Sequence, residues 1–187
     1  LLFGGALHIF SKETTGNVDA LHRYFRLHSI DCLKIVPSHW QALSLDEKPL
    51  LPLKLLIFGG EALPAEAVER IQLTGSSCRI VNHYGPTETT IGKLLHVVEQ
   101  DRVYQGTVPI GKPFANTNVY VLNRDLQLSP VGVQGELFIG GAGVARGYLN
   151  NEELTHQKFL PNPFDQNDGF LLYRTGDLVK YLPDGNI

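Results

Sequence analysis

The sequence predicts an α/β fold: a mixed sheet with covering helices, followed by a β-rich, barrel-like subdomain. Two observations carry this. In the first half, short apolar runs alternate with segments of helical spacing. Near Gly106 the character changes, and from there glycine and proline punctuate short apolar runs. The division that follows is 1–106 for the α/β portion and 107–187 for the β-rich portion.

Taken in order, Ala6-Leu7-His8-Ile9-Phe10 predicts a short strand. Val18, Leu21, Phe25 and His28 recur near helical spacing after Gly16-Asn17, which predicts an amphipathic helix with Asn17 as its cap. Residues 32–36 form a strand stopped by Pro37, and Ser38 is placed to cap a helix through Leu43. Residues 53–58 are a strand closed by Gly59-Gly60, Pro64 opens a helix to about Leu73, and 79–83 return as a strand. Beyond Gly106, strands are expected at 118–122, 136–139 and 178–181, with one helix around 152–158. Asn123-Arg124-Asp125 and Pro183-Asp184-Gly185 have turn chemistry.

Composition bounds the function. At 187 residues, 43% hydrophobic and 19% charged, the chain is globular and long enough to bury a core. A net charge of −3 and a pI near 6.2 give no basic footprint for nucleic acid. No stretch is long enough to span a membrane, and the apolar run from Leu1 to Leu7 lacks the charged leader and cleavage site of a signal peptide. Cys32 and Cys78 sit in apolar, strand-like surroundings and read as reduced core residues, not as a disulfide or metal pair. A cytoplasmic location follows. With no methionine and a start inside a hydrophobic run, the chain reads as an internal piece whose apolar ends, beginning at Leu1-Leu2-Phe3, leave it marginal or aggregation-prone alone.

The most informative segment is Asn82-His83-Tyr84-Gly85-Pro86-Thr87-Glu88-Thr89-Thr90, a buried strand opening into a turn. It presents an aromatic ring for a base (Tyr84), a hydroxyl for a phosphate oxygen (Thr87) and a carboxylate for Mg²⁺ (Glu88). The plainer reading of this turn alone is a strand end capped by polar residues.

Three further segments decide between them: the run from Gly135 to Leu149, Tyr173-Arg174-Thr175-Gly176-Asp177-Leu178, and Leu56-Ile57-Phe58-Gly59-Gly60-Glu61-Ala62-Leu63. Together these motifs resemble the core motifs of adenylate-forming enzymes, specifically the adenylation domains of nonribosomal peptide synthetases. The resemblance runs from Leu1 to Ile187 and implies part of the large N-terminal domain of that fold. The implied reaction is attack of a substrate carboxylate on the α-phosphorus of ATP, giving an aminoacyl-adenylate that is transferred to the phosphopantetheine thiol of a partner carrier domain. An anion must approach an anion, so Mg²⁺ and fixed donors must absorb charge.

The resemblance assigns Thr87 and Glu88 as catalytic, with Glu88 also as the metal-associated carboxylate. Gly59, Gly60, Glu61, Asn82, Tyr84, Thr87 and Asp177 are assigned to the nucleotide: Tyr84 packs on adenine opposite the Gly59-Gly60-Glu61 backbone, and Asp177 accepts from the ribose hydroxyls. Plainer roles stand beside these. Asp177 can cap a turn after Thr175-Gly176, Glu61 can be a helix-start carboxylate ahead of Pro64, and Arg146 reads as a structural ion-pair residue. Gly140-Gly141-Ala142-Gly143 does not precede a helix and is a poor phosphate cradle.

By the same resemblance, Lys34, Ile57, Gly59, His83, Ile91 and Gly92 read the substrate side chain, in a combination similar to aspartate-activating domains. Ile57 and Ile91 are apolar walls, Gly59 and Gly92 leave room, and Lys34 with His83 place cationic or donor groups at the pocket floor. A buried lysine without an anion is expensive, and a β-carboxylate satisfies both groups. Such a charge-assisted bond is worth roughly 1.5–3 kcal/mol, about one to two decades of discrimination against asparagine. Alone, Lys34 reads as a lysine snorkelling from a strand, and His83 as an ordinary hydrogen-bonded histidine.

The family's phosphate loop ending in Pro-Lys-Gly, its amino-group-anchoring aspartate, its C-terminal subdomain with a contacting lysine, and a carrier motif do not occur in the chain. Thr14-Thr15-Gly16-Asn17 echoes the loop, but Val18-Asp19 follows it and it reads as a turn. The expected partners are therefore the remainder of the adenylation domain and adjacent carrier and condensation domains, with no nucleic acid and no membrane, and the chain alone is expected not to turn over. Two other classes stay open: an acyl- or aryl-CoA ligase of the same superfamily, and a non-catalytic scaffold segment.

Overall fold

The computed structural model describes residues 4–44, 49–164 and 171–187. Two sheets organise them. The first has five strands in sequence order. Parallel strands β1 (Cys32–Ile35), β2 (Leu55–Gly59) and β3 (Arg79–Tyr84) are followed by antiparallel β4 (Leu94–Val97) and β5 (Lys112–Pro113). Helices α1 (Lys12–Thr15), α2 (Val18–Leu27), α3 (Pro37–Leu43) and α4 (Ala65–Gln72) accompany it. The second sheet is antiparallel, with order β6-β7-β9-β8: β6 (Thr117–Leu122), β7 (Gly135–Gly141), β8 (Phe159–Pro161) and β9 (Leu171–Val179). Helix α5 (Glu152–Lys158) leads into β8.

Strand alternation sorts the residues of the first sheet. Leu56, Phe58 and Ile80 face a core completed by Trp40 and by Ala67, Val68 and Ile71 of α4. Leu56, Phe58 and Trp40 are 0% exposed, so each contributes roughly 1.5–3 kcal/mol through burial of its apolar surface. The Trp40 ring meets Phe58 edge-on at 5.5 Å, and its indole N–H donates to the Leu50 carbonyl at 2.9 Å. Helix α2 begins as expected, with the Asn17 side chain accepting from Ala20 N, and packs Leu21 beside Leu43 and Leu50. The opposite face of the sheet carries Lys34, Ile57 and His83.

The two sheets share a core. Leu94 of β4 packs with Val121, Leu137, Ile139 and Ile187. Buried His96, also on β4, lies between the Tyr104 hydroxyl at 3.0 Å and Asn186 at 3.3 Å, which ties β4 to the 182–186 turn. On the second sheet, Arg174 forks onto the Glu136 carboxylate.

Several expectations are corrected. Residues 6–10 are not a strand; no backbone pairs with them among the described residues, and Leu7 and Ile9 face solvent. Ser38 does not cap α3. Val36 holds the cap position without a side-chain bond, Pro37 takes the first turn, and Ser38 N–H and hydroxyl turn to Glu61. Cys78 is buried but Cys32 is exposed, and both are free thiols. Strand β4 was not anticipated, and the first sheet extends past Gly106 to Pro113. The second half is β-rich, as expected, with a four-stranded antiparallel sheet. The apolar end at 1–3 lies outside the described residues. Among the described residues, no helix is long and apolar enough to cross a membrane.

Candidate active site

Strand β3 ends at Tyr84 and turns back through Gly85-Pro86, a 3₁₀ turn at Thr87–Thr89, and Thr90 and Ile91 in the left-handed region (φ 68° and 63°). Lys93 N–H then closes onto the Tyr84 carbonyl at 2.8 Å. A β-branched residue at positive φ is costly, and this loop holds Ile91 there by an N–H bond to Pro86 O at 3.2 Å.

Beside the loop lies a cleft of about 770 Å³ lined by Gly60, Glu61, Asn82, Tyr84, Asp177 and Lys180, among others. The Tyr84 phenol donates to the Asp177 carboxylate. Burial, then this bond, raises the Tyr84 pKa above the ordinary phenol range. Asp177 N–H donates to Thr175 Oγ1 at 3.0 Å, so Thr175 and not Asp177 caps this turn, and the Asp177 carboxylate is left at the cleft with Tyr84. Gly59 lies opposite His83 in the β2–β3 register, and Gly60 follows at φ 89°. Buried Asn82 donates its amide to the carbonyls of Val108 and Pro109, holding the cleft wall together. The Glu61 carboxylate accepts from Ser38 N at 3.0 Å and Ser38 Oγ at 2.8 Å. It is a helix-start carboxylate, though of α3 and not of the helix after Pro64, and these two bonds hold its pKa down.

Thr87 and Glu88 stand on the turn that follows Pro86, itself part of the cleft wall. Thr87 is exposed. Glu88 accepts from the Tyr148 hydroxyl at 2.6 Å, and Tyr173 OH lies 3.4 Å from that hydroxyl. Burial works to raise the Glu88 pKa, but the Tyr148 bond, with smaller help from its own backbone, Tyr173 and the charge of Lys158, brings it below the ordinary value. The group is therefore an anion near neutral pH.

Lys34 pairs with Ile57 across β1–β2, and Gly59 with His83 across β2–β3, which puts all four on one sheet face. Gly92 abuts His83; a Cβ there would lie 2.1 Å from Nε2. Burial, then the Lys34 charge, lowers the His83 pKa. Ile57 is half-buried, but Ile91 is 59% exposed on its turn and is not a packed wall. Lys34 is exposed as well, so the cost of burying a lysine does not apply to it. It also borders a second cavity of about 410 Å³ with Phe10, Leu33, His39 and Gly59. Arg146 is exposed and makes no ion pair among the described residues, contrary to expectation.

Tyr148, Tyr173 and Lys158 were not singled out from sequence. Tyr148 stands in a quoted motif, yet no spacing rule links it to a carboxylate 60 positions away. Among the described residues, no group of three or more His, Cys, Asp or Glu side chains gathers for a metal. A lone carboxylate fits Mg²⁺, which takes one or two carboxylates with phosphate oxygens and water.

The chain is similar to known proteins over its whole length. A family model described as "AMP-binding enzyme" matches residues 1–149. Over the whole chain, similarity reaches 40% identity to malpinin synthetase of Mortierella alpina and 42% to surfactin synthase subunit 1 of Bacillus subtilis (strain 168). The chain spans only 2% and 5% of those proteins. A solved four-domain nonribosomal peptide synthetase bound to AMP and glycine superposes with TM-score 0.85 at 36% identity, covering 98% of this chain and 13% of that one.

Proposed function

Because the chain belongs to the AMP-binding enzyme family, we propose that it carries the nucleotide-facing part of an adenylation domain that activates an amino acid, aspartate, for nonribosomal peptide synthesis. The observation that carries the reading is the convergence of Tyr84 and Asp177 at one cleft, with Glu88 on the adjoining turn. In this reading the Tyr84 ring stacks on adenine, Asp177 accepts from the ribose, and Thr87 donates to a phosphate oxygen. Mg²⁺, when bound with ATP, supplies charge neutralisation at the phosphates. Glu88 would hold it. The other residues bind and orient: the Ser38–Glu61 bonds fix the backbone beside the ring, and Asn82 fixes the wall behind it.

Support for aspartate comes from Lys34 and His83 on one sheet face with the small residues Gly59 and Gly92. The Lys34 charge already bears on His83, and a substrate β-carboxylate offsets it. The acceptor is the phosphopantetheine thiol of a carrier domain, in keeping with the multidomain relative. The test is amino-acid-dependent ATP–pyrophosphate exchange by the full-length protein across the twenty amino acids. Exchange dominated by aspartate supports chemistry and pocket together; dominance of another amino acid keeps the chemistry and refutes the pocket; no exchange refutes both.

A further inference from the structure

We propose that Tyr148 is the positioning residue of the Glu88 carboxylate: its phenol holds one oxygen and so directs the other toward the divalent cation of the bound nucleotide. This rests on the reading of Glu88 as the metal-associated group. A glutamate on a surface turn has free side-chain torsions, and a cation site needs them fixed. Within the turn, only the backbone of Glu88 itself bears on the carboxylate, and more weakly than Tyr148. The restraint comes from the second sheet, through the segment after β7.

That segment grips the turn at three points. Tyr148 OH donates to Glu88 Oε1 at 2.6 Å, Ala145 N donates to the Glu88 carbonyl at 2.8 Å, and Thr90 Oγ1 donates to the Gly143 carbonyl at 2.9 Å. Tyr148 is itself fixed. Its N–H donates to Thr155 Oγ1 at 2.9 Å, Thr155 Oγ1 donates to Asn151 O at 2.8 Å, and its ring meets Phe159 edge-on at 5.4 Å. Gly147 is held close to the Thr155 methyl, where a Cβ would come within 2.5 Å. The chain from α5 through Thr155 and Tyr148 thus sets the direction of a carboxylate on the first sheet's turn. Tyr148 touches neither substrate nor metal in this scheme; it acts through Glu88.

The test is Mn²⁺ binding by the full-length protein, followed by electron paramagnetic resonance with a non-hydrolysable ATP analogue. Tyr148→Phe is expected to raise the half-saturating Mn²⁺ concentration about tenfold, the lower end of what loss of a ligand-orienting hydrogen bond costs. Amino-acid KM in pyrophosphate exchange is expected to stay within about twofold, a split that general unfolding does not produce. Should Tyr148→Phe fail to fold, Thr155→Val, which keeps the methyl on Gly147 and removes the acceptor of Tyr148 N–H, is expected to shift Mn²⁺ binding in the same direction. Unchanged Mn²⁺ binding in whichever of these variants folds overturns the positioning role. Glu88→Gln separates the two levels: if it weakens Mn²⁺ binding and Tyr148→Phe does not, only the role of Tyr148 falls. If Glu88→Gln itself leaves binding intact, the metal reading falls with it.

Discussion

Tyr84 and Asp177 are joined across the cleft, the phenol at the end of β3 donating to the carboxylate in β9 and linking the first sheet to the second. In the proposed reading, the bond would pre-set the carboxylate for a ribose while leaving the ring face to a base. Asp177→Asn is expected to raise the KM for ATP by about 10–100-fold, the worth of a hydrogen bond to a charged group. Tyr84→Phe, which keeps the ring, is expected to cost less than Asp177→Asn. Pyrophosphate exchange at varied ATP reads both, and an unchanged KM in Asp177→Asn removes that residue from the nucleotide site.

Ser38 and Glu61 predict an acid-sensitive element. The Glu61 carboxyl is held below its ordinary pKa by the Ser38 N–H and hydroxyl. The unfolded chain therefore binds its proton at higher pH than the folded one, and the stability gained is full above the ordinary carboxylate range. It is lost as pH falls through the lowered folded value. Glu61→Gln is expected to lower the Tm at neutral pH and to flatten its decline into acid; parallel curves for the two proteins would show that the bonds contribute nothing.

The parts legible in sequence were those set by local pattern. The Asn17 cap and period of α2, the places of α4 and α5, the strands β1 to β3 and the turns at 123–125 and 183–185 follow from residues within a few positions of one another. What was not legible depends on partners distant in sequence. Residues 6–10 have strand composition but no neighbouring strand among the described residues, and β4, with His96 inside it, exists because Tyr84, Leu94 and Ile187 share a core. Ser38 looked like a cap because its competitor for the helix start, Glu61, lies 23 residues away. In the site, the supports were not legible: neither Tyr148 on Glu88 nor the exposure of Ile91 has a sequence signature, whereas exposed Lys34 agrees with the plainer reading of a strand lysine reaching solvent.

His96 gives a second pH signal of the same sign. Burial is the main reason its pKa lies below the ordinary histidine value. Between the folded value and about pH 6.5 the unfolded chain holds more protons, so stability is full above about pH 6.5 and declines as pH falls through that window. His83 contributes in the same direction. The Tm of His96→Gln, compared at about pH 8 and about pH 5.5, is expected to fall less between the two than that of the parent. An equal or larger fall would assign the acid limb elsewhere.

Gly92 tests the geometry around His83 without touching the nucleotide. A Cβ at this position would sit 2.1 Å from Nε2 and 2.4 Å from Cε1 of the ring, so the imidazole must move. Gly92→Ala is expected to lower kcat/KM for the amino acid at least about tenfold, typical of a misplaced site group, with the KM for ATP unchanged. A parallel loss in both would mean that the loop, not the pocket, had been disturbed.

Lys34 carries the sharpest claim about substrate. It is exposed on the sheet face, so its ammonium is hydrated and needs no anion for stability. Its field nonetheless reaches His83, whose pKa it helps to lower. A β-carboxylate between them would accept from the ammonium and reverse the field on the ring, whereas the amide of asparagine would accept without cancelling the lysine charge. Lys34→Met keeps the stem and removes the charge. The ratio of kcat/KM for aspartate over asparagine is expected to fall about 10–100-fold, with stability and ATP KM unaltered. A ratio that survives the substitution would mean that His83, or a residue outside this face, reads the carboxylate.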